Sequence, residues 1–295
     1  MTIDSIIVLF NDNTDTAEEN IRNIANQVDT LYLIDNSSVA YNKRFANIKN
    51  VEYLPQYKNL GIAAAQNIGI KKALVKRADF IFFADPDSLF PGDAVNKLHK
   101  KYEQLTKSLS KIGGICPSAF NQTTNLPISL KGNLIKEIQA YNVTEVTFMM
   151  NSGSLIPTKF FADAGLMWED LFIDDVDCEW CWRATKKLKV HFFQDNEISI
   201  KHSLGNNTRK VGGKARSLAS PNRLFYQFRN FIWVLREGYA PRQWLIYNGE
   251  KYLIKMFYFP LFVKPRMKNL KNISHGIYKG IFKTPTMPLV GFSEI

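Results

Sequence analysis

The stretch FIFFADPDSLF, Phe80 to Phe90, decides the fold. Its run of bulky apolar residues reads as a strand covered on both faces, as in the parallel sheet of an α/β protein. Such sheets place ligand sites at the carboxyl ends of their strands. Asp85 and Asp87 stand there, with Pro86 stiffening the turn between them. Two carboxylates this close repel each other unless something positive lies between them. A hard divalent cation, Mg²⁺ or Mn²⁺, prefers oxygen ligands and bridges to substrate phosphates. The alternative is an ordinary turn in which Asp85 caps the following helix. The tripeptide alone leaves both open.

Working outward, SIIVLF (5–10), TLYLID (30–35) and NVEYLPQ (50–56) read as further strands. A polar loop and an amphipathic helix follow the first, and a helix from about Ile62 to Lys76 follows the third and leads into the Phe80 strand. Strand and helix alternating at this spacing mean βαβ units and a parallel sheet. Beyond Phe90, IGGICPSAF (112–120), EVTFMMNSGSLIP (145–157) and VHFFQD (190–195) are expected as strands, and IKHSLG holds another short one. In NLGIAAAQNIGI (59–70) the alanines suit a helix packed closely on a strand or a ligand. The segment lacks the ending of a phosphate loop and the spacing of a dinucleotide fingerprint.

The 295 residues are 45% hydrophobic and 22% charged, which is globular. Three cysteines give no disulfide framework and no zinc spacing, which fits a reducing cytoplasm. The N-terminus lacks the pattern of a signal peptide, and no run of eighteen apolar residues would span a bilayer. Residues 201–295 hold 17 Lys or Arg against three acids, a balance of +14; the whole chain is +11, so residues 1–200 carry −3. That asymmetry points to an anionic partner surface. Residues 220–285 mix aromatics, aliphatics and bases at helical spacing. They read as a surface resting on an anionic membrane, or as packing against the core or a second subunit in a homodimer. No motif supports nucleic acid.

The polar clusters follow strands: Asn11 after the first, Asp35 after the second, Asp85 and Asp87 after the fourth. Asp35 is either a hydrogen-bond acceptor for a base or ribose, or part of an Asp-Asn-Ser-Ser turn. The densest cluster, Trp168 to Ala184, holds six acids within eleven residues. If Asp177 begins a helix, Glu179 pairs with Arg183 one turn on. A carboxylate on the loop before it, in an aromatic pocket, would have its pKa raised toward that of a general base. His202 follows a strand and either faces the same rim or is structural.

Together these pieces resemble the family 2 glycosyltransferases of the GT-A fold, and among them the bacterial rhamnosyltransferases. The matching segments run in order: VLFN (8–11), IDNSS (34–38), NLGIAAAQNIG (59–69), DPD (85–87), NSGSLIP (151–157), LFIDDVDCEWCWRA (171–184), HSLG (202–205) and RLFYQFRN (223–230). The resemblance implies a mostly parallel central sheet flanked by helices. A catalytic domain would span 1–215, with a nucleotide-sugar half to about 110 and an acceptor half beyond it. Residues 216–295 would be a basic helical extension. It further implies that Asp35 contacts the donor's base, with Phe10, Asn11, Asn59, Gly61 and Asn67 lining the nucleotide. Asp85 and Asp87 would hold Mn²⁺ or Mg²⁺ on the diphosphate, His202 would add a metal or diphosphate contact, and Arg223 and Arg229 would help with the diphosphate or belong to the basic face. Asn151, Ser152, Gly153, Asp177, Glu179 and Trp180 would line the sugar or acceptor pocket. The family inverts the anomeric centre with a carboxylate base, which falls on Asp175, with Asp174 as the alternative.

The expected reaction is transfer of L-rhamnose from dTDP-rhamnose to a lipid-linked or polysaccharide acceptor, peripherally at the cytoplasmic face of the membrane. A UDP-sugar-dependent galactofuranosyl or N-acetylhexosaminyl transfer is the alternative. A nucleotidyltransferase or a non-catalytic sugar-binding protein is more distant. A nucleotidyltransferase usually carries a Gly-rich basic loop after its first strand, and residues 9–20 are neither.

Overall fold

The computed structural model describes residues 1–12, 14–122, 124–128, 133–202, 208–211 and 214–288. The chain opens with β1 (Ile3–Leu9), α1 (Asp15–Ala25), β2 (Thr30–Asp35), a short α2 (Asn42–Phe45), β3 (Val51–Pro55), α3 (Ile62–Val75) and β4 (Phe80–Ala84). These strands form the parallel ladder β3-β2-β1-β4. Alternate residues of β4 enter opposite layers: Ile81 and Phe83 join one core, Phe82 and Ala84 the other. A strand buried on both faces does this, because its side chains alternate.

The second half continues with β5 (Ser88–Leu89), α4 (Ala94–Thr106), β6 (Ile112–Asn121), β7 (Leu134–Ile138), β8 (Val143–Val146), β9 (Leu155–Pro157), α5 (Lys159–Ala164), α6 (Val176–Leu188) and β10 (His191–His202). The sheet runs β3-β2-β1-β4-β9-β6-β10-β8-β7, with β5 on β10. It is parallel up to β4 and mixed beyond, where only β6 and β10 pair in parallel.

Two expected strands change shape. Residues 145–157 are not continuous: β8 stops at Val146 and β9 starts at Leu155. Between them Gly153 takes φ +91°, where a Cβ would lie 2.6 Å from Pro117, so the chain turns instead of extending. Conversely, the two short strands expected at 190–195 and around Ile200 are one, β10, bulged between Asp195 and Ser199.

Helix α3 approaches β1 closely. A Cβ on Gly69 would lie 2.7 Å from Ile6, so the small residues let the helix sit directly on the strand. Three helices follow the sheet: α7 (Pro221–Glu237), α8 (Arg242–Phe262) and α9 (Arg266–Phe282). The Ser220 hydroxyl accepts from Arg223 N at 3.3 Å and Pro221 sits in the first turn, so α7 starts there. Trp233 of α7 stacks 6.0 Å from Trp168, and Trp244 of α8 meets Trp182 at 4.6 Å. Helices α7 and α8 therefore share the core above α3 and α6, while Ile273 of α9 is buried in a separate cluster with Leu224, Phe228 and Tyr252.

Candidate active site

The Asp85–Asp87 turn closes with Ser88 N donating to Asp85 O at 3.2 Å. It is braced from both sides. Asn20 of α1 donates to Pro86 O at 2.8 Å, and the Ser152 hydroxyl accepts from Asp85 N at 3.4 Å while donating to the Ser88 hydroxyl at 2.8 Å. Gly153 N donates to Phe83 O at 2.8 Å. Ser152 and Gly153, expected in the sugar pocket, thus shape the floor beneath the acidic turn, while Asn151 beside them reaches the cavity. Both aspartates of the turn are partly exposed.

The cavity, about 500 Å³, opens beside Asp85. The start of α3, the loop 148–151, the acids Asp174, Asp175 and Asp177, Arg223 of α7, and Tyr247, Asn248 and Lys251 of α8 enclose it. Its acid wall is built from unusual backbone. Phe172, Asp174 and Asp175 all take positive φ, between 62° and 65°. Left-handed non-glycine residues persist only where the surroundings enforce them. Here α7 does so: Asn230 Nδ2 donates to the carbonyls of Leu171, Ile173 and Asp174 at 2.8–3.1 Å. Arg229 donates to the carbonyls of Asp170 and Leu171, and Ile62 N donates to Phe172 O at 2.6 Å.

The three acids of this wall differ. Arg223 grips Asp174 through Nε and Nη2 at 2.7–3.1 Å. Asp177 accepts from Asn151 N at 3.1 Å and from Cys178 N at 2.9 Å, and burial raises its pKa. Asp175 keeps a buried Oδ2 with no hydrogen-bond partner among the described residues. Its pKa is pushed up to about 7, chiefly by burial and then by repulsion from Asp174 and Asp177, with Lys251 and Lys255 opposing. Asp175, not Asp177, stands at the N-terminal boundary of α6.

Several expected ligand contacts are structural instead. Asn67 is buried: its Nδ2 donates to Met167 O at 3.0 Å and Glu169 Oε1 at 2.9 Å, and its Oδ1 accepts from Met167 N at 2.9 Å. With both amide donors and one acceptor site used within the protein, it ties α3 to the 167–169 loop. Glu179 is buried against Arg183 (2.6 Å) and the Tyr239 hydroxyl (2.5 Å), the pairing along α6 that the i, i+4 spacing predicts. It does not line the pocket. Neither does Trp180, which lies in the core, donating to Gly165 O at 2.9 Å and packing 4.5 Å from Phe161. Arg229 lies 4.2 Å over the Trp233 ring, its pKa lowered to about 10 by burial, and its hydrogen bonds go to the carbonyls of Asp170 and Leu171 and to Asn230 Oδ1.

On the nucleotide side, Asp35 is buried at the end of β2, accepting from Ser37 N at 2.8 Å and from the Tyr53 hydroxyl at 2.5 Å. Phe10 and Asn11 are exposed at the end of β1. Asn59 Oδ1 accepts from Gly61 N at 2.9 Å, and Gly61 starts α3 at φ +83°, where a Cβ would strike Phe172 at 2.6 Å. The side chain of His202 lies outside the described residues; its backbone pairs with Ser88, next to the acidic turn.

The donor set suits a hard cation. Asp85 and Asp87 offer oxygen only, and no group of three or more His, Cys, Asp or Glu among the described residues could form a closed cage. One or two carboxylates completed by phosphate oxygens and water is how Mg²⁺ is commonly held.

Sequence reasoning missed Asn230, Gln66, Tyr247, Asn248, Lys251 and Lys255. The only hint for Asn230 was its place in RLFYQFRN, a polar residue within an otherwise apolar helical face. The residues of α8 had no motif at all.

A mixed sheet with an acidic turn at a strand end, facing a second carboxylate across a cavity, is the architecture of GT-A glycosyltransferases. Solved structures share the fold. TarS residues 1–349 from S. aureus superimposes with TM-score 0.60 at 12% identity, over 95% of this chain and 81% of that one. GalNAc-T7 with UDP, GalNAc and Mn²⁺ gives 0.58 at 14%, over 96% of this chain and 56% of that one. The model of glycosyl transferase family 2 matches residues 5–163, and the chain belongs to that family. It is 30% identical over 246 residues to the dTDP-rhamnosyl transferase RfbF of Shigella flexneri, covering 80% of this chain and 81% of that protein. The protein is a glycosyltransferase.

Proposed function

We propose that the chain transfers L-rhamnose, with inversion, from dTDP-rhamnose to a hydroxyl of a lipid-linked or polysaccharide acceptor in cell-surface glycan synthesis. The observation that carries this reading is Asp175, the acid of the 174–177 wall that keeps an uncommitted buried oxygen, in one cavity with Asp85. A carboxylate with a pKa near 7 matches a general base at neutral pH. It takes the proton of the acceptor hydroxyl as that oxygen bonds to the anomeric carbon. The bond from that carbon to the diphosphate breaks on the opposite face, and dTDP leaves with the electron pair.

Asp85 and Asp87 would hold Mg²⁺ or Mn²⁺, which when bound neutralises charge on the leaving diphosphate. Arg223 holds Asp174 away from the base role and adds positive charge at the cavity wall. Similarity to RfbF supports the rhamnose donor. The basic C-terminal helices support work at the cytoplasmic face of the membrane, in contact through residues 220–285. A division into a catalytic unit, 1–215, and a helical extension, 216–295, is part of the same reading.

The test is release of dTDP or UDP from dTDP-rhamnose and from UDP-sugars, with Mn²⁺ or Mg²⁺, by wild type and Asp87→Ala. Metal-dependent release from dTDP-rhamnose, lost in the variant, is expected. Release from UDP-sugars alone would overturn the rhamnosyl donor in favour of a galactofuranosyl or N-acetylhexosaminyl one.

A further inference from the structure

The corner between α8 and α9 sets large apolar side chains among bases on an anchored turn, part of an exposed apolar surface that also includes Ile254, Phe257 and Phe282. Phe262 is 63% exposed and Met267 76%, on either side of the Val263–Pro265 connection, with Leu261 beside them. Lys264, Arg266 and Lys268, all exposed, alternate with these residues. The corner is anchored from below: Phe259, Val263 and Ile273 are buried with Leu224, Phe228 and Tyr252, and Asn269 Nδ2 donates to Val263 O at 2.8 Å. Large apolar side chains are therefore held outward on a fixed support, at a cost in water that a covered surface would not incur.

What covers it is narrowed by charge. Residues 251–288 contain eight Lys or Arg and no Asp or Glu. A second copy docking through the same patch would bring bases against bases with no acid to meet them. A nucleic acid would satisfy the bases and leave the apolar residues in water. An anionic bilayer satisfies both, its headgroups meeting the bases while the apolar side chains enter the acyl boundary. No helix among the described residues is long and apolar enough to cross a membrane, so the contact is at the surface.

We propose that the α8–α9 corner, through Phe262, Met267, Lys264, Arg266 and Lys268, docks on an anionic lipid bilayer. This rests on the membrane contact proposed above for residues 220–285 and assigns the tip a leading part in it, beside exposed Ile254, Phe257 and Phe282 of the same helices. The central residues of α7, among them Phe228, Asn230 and Trp233, are buried beneath the other helices and take no part. Because Lys251 of α8 lines the cavity, the tip lies eleven residues further along the same helix, about 16 Å at 1.5 Å per residue. Docking at the tip therefore tethers the cavity wall at Lys251 within about 16 Å, along α8, of the bilayer contact.

The test is co-sedimentation of the whole chain with vesicles of phosphatidylcholine alone or mixed with phosphatidylglycerol, at low and high salt. It needs no donor, so its failure and that of the rhamnosyl reading are separable. Wild type is expected to pellet with the mixed vesicles and to be released by salt. Phe262→Ser with Met267→Ser, and separately Lys264→Glu with Arg266→Glu, should each weaken binding by roughly tenfold or more. Both pairs are exposed, so circular dichroism and thermal melting should match wild type. Equal binding by the variants, or no binding by wild type, overturns the proposal. So does a wild-type dimer, in light scattering without vesicles, that the Phe262/Met267 variant splits into monomers; the corner would then be a subunit interface.

Discussion

Asp175→Asn should separate activity from stability with a pH signature. Burial and the neighbouring acids raise the Asp175 pKa from 3.8 to about 7. In the unfolded chain the group titrates near 3.9. Between those values the folded state binds more protons than the unfolded state, so stability falls as pH rises through the window. At 1.36 kcal/mol per pH unit, the full penalty above pH 7 is on the order of 4 kcal/mol, and less than half of that remains at pH 5. Asparagine carries no charge to bury, so the variant escapes the penalty. Thermal unfolding in EDTA should show Asp175→Asn more stable than wild type at pH 8, by roughly 5–10 °C for a chain of this size. The gap should shrink to less than half at pH 5. Sugar transfer by the same variant should fall about 10²–10⁴-fold, the usual worth of a general base. A stability difference independent of pH, or a variant less stable at pH 8, would refute the raised pKa. Unchanged activity would remove Asp175 as the base.

Three further outcomes follow from particular contacts. Gly61→Ala should lose most activity and at least about 2 kcal/mol of stability in urea titration, because its Cβ would strike Phe172 from a backbone at φ +83°. Glu179→Gln should leave Arg183 buried and unpaired, costing about 3–5 kcal/mol, while Glu179→Leu with Arg183→Met should recover much of it. Asn230→Ala should release three carbonyls of the 171–174 loop. Its catalytic rate constant should drop while binding of dTDP, the nucleotide of the proposed donor, stays nearly unchanged in calorimetry, since Asn230 bonds to the acid wall and to Arg229 that braces it.

The first four strands and their helices were legible because their signals are local: apolar runs on β1, β2 and β4, alternating with helical spacing. The acidic turn was legible for the same reason, since a loop after a buried strand exposes whatever it carries. The i, i+4 pairing of Glu179 with Arg183 was also written in the spacing, yet the same residue was expected in the pocket, because a sequence does not say which face of α6 is covered. Asn67 misled in the same way. Asn59 and Asn67 stand in similar Asn-x-Gly settings, but one lies in an exposed loop and the other is buried more than one turn inside α3. The break of 145–157 into two strands depended on Pro117 lying against Gly153, a contact between distant segments.

The sequence by itself determined the layered α/β core, the acidic turn at the end of β4, and the family, because each rests on residue types at short separations. Only the tertiary structure distinguishes the two acids proposed for the base. Asp174 and Asp175 are neighbours of identical chemistry, and what separates them is Arg223, 49 residues away, which grips the first. The same folding lays α8 along the cavity and so brings Lys251 and Lys255 within reach of Asp175. Proton affinity depends on burial and on charges across space, and neither is a property of a residue's neighbours in the chain.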